Sequence, residues 1–566
     1  MRRKVLMIFL VFIALLYGCL NDQTNLGYNE VILPDSVIVT DVANQRKVYL
    51  DKGGITFVVT SGSELQLDVD VRYRGDDELT YEWRLDEKVI SKEQNLRYVC
   101  VEKGVLPALL LVYRKNAGNA TVYPFNVRIR EPFDAGILVL GKHGGKTQLD
   151  FIERFVEERT IEMGGMLYSA SVHEYIEHPD IYPLYNDGEE LALKPVQLLY
   201  TAGLQNAENR YSGVQILDRD WKNSVLVNLK TMEKIVSMGD EFVGDPGNLK
   251  LKSVCDVGAT SLVLDESGKI FSRVNYDESN PGTGRFISEP LGYNDPNDVP
   301  DKGTEELKAD YITSGRSSFC DIAFIYEKDK KRILAMTAAE TSTQQNIDYS
   351  MIHKLAPSFP MPGCVNLNDF DKELIGIFLP KNQISASMGY VYIFYKDGVD
   401  YYLQAAMINA NALTTPHTVT CMNLSMDIKL PNELGVLLEQ GNGVFQIANK
   451  APMNETLYVG VENAIYSMVI SFIPTVSLGS CTLFHKFEEE GNITNLVFTE
   501  TWEETSGSVN RYARGRVFAA SFDNGDLRVV KLYDDPTKPG EVQKKYWVQK
   551  NYDGGIVDMM YYNNSK

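Results

Sequence analysis

Arg516-Val517-Phe518-Ala519-Ala520-Ser521-Phe522, then Asp523-Asn524-Gly525-Asp526, then Leu527-Arg528-Val529-Val530: an apolar strand, a polar turn and a second apolar strand follow one another. Val, Phe and Leu suit a pleated sheet, and Asn and Gly tolerate the positive backbone angles of tight hairpins. The same device recurs upstream. Ser261-Leu262-Val263-Leu264 turns through Asp265-Glu266-Ser267-Gly268 into Lys269-Ile270-Phe271. Ile322-Ala323-Phe324-Ile325-Tyr326 turns through Glu327-Lys328-Asp329-Lys330-Lys331 into Arg332-Ile333-Leu334-Ala335. Val391-Tyr392-Ile393-Phe394-Tyr395 turns through Lys396-Asp397-Gly398 into Tyr401-Tyr402-Leu403. Residues 214–229 offer another unit and residues 457–473 a weaker one. The spacing, roughly 60 to 70 residues with units obscured between, is compatible with four-stranded blades carrying loop insertions. Such hairpins cover each other's apolar faces when packed radially, so the pattern predicts an all-β chain with a seven-bladed β-propeller over residues 133–566. A β-helix or a second stacked sandwich is the structural alternative. Gly136-Ile137-Leu138-Val139-Leu140 and the final Gly554-Gly555-Ile556-Val557-Asp558-Met559-Met560-Tyr561 read as strands that complete one blade between them. Short connecting helices are expected at residues 149–158 and 231–238.

Ahead of this stretch the pattern is finer. Ile55-Thr56-Phe57-Val58-Val59, Leu65-Gln66-Leu67-Asp68-Val69, Thr80-Tyr81-Glu82-Trp83-Arg84-Leu85 and Val122-Tyr123-Pro124-Phe125-Asn126-Val127-Arg128-Ile129 alternate with period two. Short alternating strands of this kind predict an immunoglobulin-like β-sandwich over residues 37–132, with Trp83 filling the space between its sheets.

The N-terminus carries a different signal. Arg2, Arg3 and Lys4 precede an apolar run from Val5 to Leu16, which closes in Leu16-Tyr17-Gly18-Cys19. A positive head, a greasy core and a small residue before cysteine describe a lipoprotein leader, and the run is short of the roughly 20 apolar residues that a spanning helix needs. Cleavage after residue 18 would expose Cys19 for acylation, anchoring the chain to a membrane through residues 19–36 as a tether. The formal charge of −20 opposes electrostatic attraction to nucleic acid or anionic lipid. Six cysteines remain beyond Cys19, too widely spaced for a compact disulfide scaffold or a short zinc pattern. They read as scattered thiols, or as one or two long-range disulfides.

Motifs of catalysis are weak. Gly141-Lys142-His143-Gly144-Gly145-Lys146-Thr147 resembles the end of a phosphate-binding loop, but Leu140 stands where the opening glycine belongs. His173-Glu174-Tyr175-Ile176-Glu177-His178 spaces its histidines five apart, where a helical zinc pair needs four, and reads as a solvated loop. Acidic stretches at residues 293–310 and at Glu488-Glu489-Glu490 offer oxygen ligands for a structural calcium without a fixed ligand order. No cofactor is predicted. Tyrosine is frequent, with 32 residues, and the group Tyr392, Tyr395, Tyr401 and Tyr402 suits either sheet packing or a surface for a ligand or partner.

Taken together, Cys19, the sandwich with Tyr81-Glu82-Trp83, the junction at Gly136-Ile137-Leu138-Val139-Leu140 and the ending Gly555-Ile556-Val557-Asp558 resemble the PKD-like surface lipoproteins of Bacteroidota. The resemblance implies an outer-membrane accessory subunit facing the cell exterior, working beside a TonB-dependent transporter and its lipoprotein lid in a starch-utilisation-type system. It implies capture of a peptide or oligosaccharide, and it carries no catalytic residue onto this chain. Leu20 after Cys19 is unlike the Asp of inner-membrane retention. The alternative function is a surface polysaccharide or peptide hydrolase or lyase with a propeller-borne site.

Overall fold

The computed structural model describes residues 33–563 except 44–45, 77, 103, 116–118, 131–132, 164–165, 202–212, 258–259, 275–285, 296–297, 300–303, 317–320, 338–350, 360, 380–387, 412–417, 442, 452–453, 472–474, 489–490, 500–514 and 535–541. Cys19 and Cys320 lie outside the described residues. The chain divides into two compact units, residues 1–131 and 132–566.

In the first unit two sheets share one core. One has the order Arg46–Tyr49, Ser36–Asp41, Glu64–Arg72, Leu96–Val99; the other runs Thr56–Thr60, Ala120–Arg130, Gly104–Arg114, Leu79–Leu85, Lys88–Ser91. Alternation explains the packing, since Val37, Val39, Leu65 and Leu67 from the first sheet meet Phe57, Trp83, Leu110 and Phe125 from the second. Trp83 is fully buried, donates its indole N–H to the Glu93 carbonyl at 3.0 Å and meets Phe125 edge-to-face at 6.0 Å.

The second unit is built of antiparallel meanders that succeed one another along the chain. Pro195–Thr201, Gly213–Asp218, Val225–Asn228 and Lys234–Ser237 form one, and Ile493–Phe498, Gly515–Phe522, Asp526–Asp534 and Val542–Asn551 form another. Two meanders are fused. Their last strands, Met351–Phe359 and Thr418–Asn423, pair in parallel with Leu355 opposite Val419. The reason for radial packing lies in the middle strands, where successive side chains enter different cores. Leu138 and Leu140 pack towards Val214 and Ile216, whereas Ile137 and Val139 pack towards Val517 and Val529. Phe324 and Tyr326 likewise join the core with Ile393, while Ala323 and Ile325 join that with Leu262. These middle strands are therefore buried on both faces, which is how a β-propeller holds its blades, and each Val, Leu or Ile so buried contributes about 1.5–3 kcal/mol.

The ends of the unit meet in one sheet. Ile556–Asn563 pairs antiparallel with Ala135–His143, setting Tyr562 opposite Gly136 and Asp558 opposite Leu140. Polar side chains then stitch neighbouring sheets. The Asp558 carboxylate accepts the Leu198 N–H at 2.8 Å, and Gln197 exchanges two hydrogen bonds with the Val254 backbone at 3.1 and 3.3 Å.

Two helix expectations are corrected. Residues 149–158 lie in the long strand Lys146–Met163, clamped between Ala135–His143 and Met166–His178, and residues 231–238 contain the strand Lys234–Ser237. The α-helices among the described residues are Ile181–Tyr185 and Asn432–Gln440, and neither is long and apolar enough to cross a membrane.

Candidate functional site

The tyrosine group lies on the hairpin of Met388–Asp397 and Asp400–Asn411, which turns at Gly398 with φ of 63°. Period two splits the group between two cores, Tyr392 and Tyr401 in one and Tyr395 and Tyr402 in the other. Tyr392, Tyr395 and Tyr401 are buried, and Tyr402 stacks on Tyr395 at 5.3 Å. Their hydroxyls are used internally: Tyr395 donates to Asp427 at 2.6 Å, Tyr401 to Glu439 at 3.1 Å and Tyr392 to Glu455. Burial pushes the Glu455 carboxyl up to about 7, a range that suits proton transfer. Both side chains are buried, Tyr392 at 0% and Glu455 at 5% exposure, so the pair reads as interior packing rather than as a surface site.

A second cluster locks the closing strands. Asp150, fully buried, accepts the Tyr552 hydroxyl, the Lys550 ammonium and the Asp180 N–H. Lys550 also bonds Glu177 at 2.7 Å. Lys550 bridges the two carboxylates, and the cluster reads as a clasp between residues about 400 apart in sequence.

The remaining motifs have structural partners. Gly144 and Gly145, with φ of 60° and 77°, make a hairpin turn between strands, so no helix follows to receive a phosphate. His173 to His178 belong to the strand Met166–His178, and His178 meets Glu153 at 2.9 Å. In the 293–310 stretch Asp295 accepts the Lys354 N–H and Asp298 holds the Lys354 ammonium at 2.7 Å. Glu488 pairs with Lys544 at 2.8 Å; Glu489 and Glu490 lie outside the described residues. Among the described residues no group of three or more His, Cys, Asp or Glu is placed to hold a metal ion. Cys100, Cys255, Cys364, Cys421 and Cys481 are free thiols.

Among the described residues an open depression lies where residues 179–194 cross from one meander to the next. There Tyr185, Asn186, Asp187, Glu189, Glu233 and Lys234 border a shallow depression of about 650 Å³. Asn186 is its keystone. Its side-chain amide donates to the carbonyls of Tyr182 at 2.8 Å and Met232 at 2.9 Å and accepts the Lys234 N–H at 2.7 Å. Asp187 and Gly188 then turn back through left-handed conformations, φ of 52° and 80°. Glu189 is spent on Lys234 and on the Tyr182 hydroxyl at 3.1 Å, and Glu233 on Thr231 at 2.9 Å. Asp187 is exposed and has no side-chain hydrogen bond or ion pair among the described residues. Tyr185 is 43% exposed, its ring held edge-to-face by Phe133 at 5.2 Å. Sequence reasoning missed this place. Its signal is modest, a tyrosine followed by the turn-forming Asn186-Asp187-Gly188.

No protein-family model and no curated protein matches the chain. Among solved structures it is similar to a quinonprotein alcohol dehydrogenase-like protein from Bacteroides thetaiotaomicron, with TM-score 0.32, 11% identity and 93% of this chain and 97% of that chain covered. It is also similar to the Nup133 β-propeller domain of Vanderwaltozyma polyspora, with TM-score 0.32, 11% identity and 64% and 100% covered. A DUF4784 family protein from Bacteroides caccae gives TM-score 0.27, 10% identity and 81% and 98% covered. Likenesses of this size carry nothing about ligand or activity.

Proposed function

We propose that the chain is a non-catalytic accessory lipoprotein of the outer membrane, acylated at Cys19 and facing the cell exterior. It captures a peptide or glycan for a TonB-dependent transporter and its lipoprotein lid. In this reading residues 1–18 are the leader, 19–36 the tether, 37–132 a PKD-like sandwich and 133–566 a seven-bladed propeller. The blade number is supported by the succession of cores between sheets, which runs from that around Leu138 and Val214 through to that around Val517 and Ile137.

The observation that carries the capture role is the rim depression. An exposed aromatic and an unengaged carboxylate stand on a backbone pinned by Asn186, and such pre-organisation lowers the entropy cost of holding a ligand. The leader-like segment ending at Cys19 supports the membrane location. Gentle detergent extraction from native cells, followed by affinity purification, tests the reading. Recovery of an outer-membrane transporter and a second lipoprotein with the chain is the expected result. Recovery of the chain alone from intact, transporter-containing extracts overturns it.

A further inference from the structure

The depression at Tyr185 and Asp187 is assigned by its chemistry to a neutral sugar, and we propose that it is a subsite for one or two uncharged pyranose units of an oligosaccharide. This deepens the capture reading above and rests on it for the biological setting only. A pyranose presents an apolar C–H face and a rim of hydroxyl donors. Tyr185 supplies a flat amphipathic surface for the first, fixed in orientation by Phe133 rather than free to sweep. Asp187 supplies two acceptor oxygens for the second, projected by a left-handed turn whose neighbour Gly188 donates its N–H to the Pro183 carbonyl at 3.0 Å. Charge selects against acidic sugars. The depression gathers the carboxylates of Asp187, Glu189 and Glu233 against the single ammonium of Lys234, which is already bonded to Glu189. A uronate or sialate would enter an anionic field, whereas a hydroxyl donor is welcome there. The shallow rim position fits a stretch of a longer chain lying across the surface rather than an enclosed small molecule.

The test uses the detergent-extracted full chain in affinity electrophoresis and in saturation-transfer NMR. The probes are xylan, β-glucan, galactan and mannan, with polygalacturonate and a casein digest as comparators. Binding to at least one neutral polysaccharide is expected, with Tyr185→Ala weakening it by tenfold or more and Asp187→Asn by several-fold. Tyr185→Phe should retain most of the affinity. Asp187 is exposed, so Asp187→Asn should melt with the parent, while Tyr185→Ala gives up the contact with Phe133 and should melt slightly lower. Should Tyr185→Ala fold poorly, Asp187→Asn and Tyr185→Phe still decide the matter. The proposal is overturned by absence of neutral-glycan binding across the panel, by binding that ignores both substitutions, or by a Tyr185-dependent preference for the digest or polygalacturonate. A sugar-binding protein that recovers no transporter would overturn the accessory role and leave the subsite standing.

Discussion

The Tyr392 hydroxyl donates to the Glu455 carboxylate across the gap between two neighbouring sheets, and both side chains belong to the interior. Because burial raises this carboxyl to about 7, the folded chain holds its proton more tightly than the unfolded chain, where a glutamate titrates near about 4.3. Between those two values the folded state binds more protons, so unfolding free energy falls as pH rises. Glu455→Gln keeps an acceptor for Tyr392 and removes the titration. Thermal melts at pH 4.5 and pH 8 should show a steeper loss for the parent than for the variant, the two profiles diverging by on the order of 3 kcal/mol. Asp558, raised to about 6 by burial, slopes the same way in both proteins and cancels. Parallel profiles would remove Glu455 as the source.

Asp558 ties the last strand to the next sheet through the Leu198 N–H. Asparagine can still accept that bond, whereas alanine leaves the amide without its side-chain partner. Asp558→Ala should therefore cost about 1–3 kcal/mol more than Asp558→Asn. Chemical denaturation of the two variants side by side measures it, and equal costs would mean that water replaces the carboxylate.

Gly525 and Gly398 are both turn glycines with positive φ, 86° and 63°, but their surroundings differ. A Cβ on Gly525 would collide with the Tyr552 backbone carbonyl, whereas one on Gly398 meets nothing within 4 Å. Alanine at 398 should cost about 1 kcal/mol from backbone strain alone. Alanine at 525 should cost clearly more, since the Tyr552 backbone must move. Comparable melting temperatures would show that the 552 backbone yields freely.

Lys550 neutralises a carboxylate that has no solvent of its own, Asp150 at 0% exposure. Lys550→Ala strands that charge and should cost about 3 kcal/mol. Pairing it with Asp150→Asn should return part of the loss, because the uncompensated charge is gone. A double variant no better than the single one would show that the Tyr552 hydroxyl and the Asp180 N–H suffice to hold Asp150.

Much of this architecture was legible because the hairpin units are local. Residues 516–530 carry their own strand, turn and strand, and the structure pairs Phe518 with Val530 and turns at Gly525. Where the reading failed, longer-range partners decide. Residues 149–158 place Leu149, Ile152 and Val156 at helical spacing, yet strands on both sides supply hydrogen bonds that hold the segment extended. The tyrosines of residues 392–402 gave an ambiguous signal because period two looks the same whether a face meets solvent or another sheet. The rim depression was invisible for the same physical reason. Its frame depends on Asn186 reaching Met232 and Lys234, 46 and 48 positions away, and no local pattern announces such a bond.

Trp83 offers the last test, on the first unit alone. It is fully buried, its indole N–H satisfied by Glu93, and every residue of its core lies between Val37 and Ile129. Trp83→Ala removes that hydrogen bond and opens a cavity between the sheets, a change that typically costs about 3–5 kcal/mol. The clusters that hold residues 133–562 contain no member of this core. Hydrogen exchange followed by peptide should therefore show lost protection for residues 37–130, with peptides such as 213–218 and 515–522 exchanging at parental rates. Were protection to fall equally in both sets, the sandwich and the propeller would be unfolding as one cooperative body, and separate cores would no longer imply separate stability.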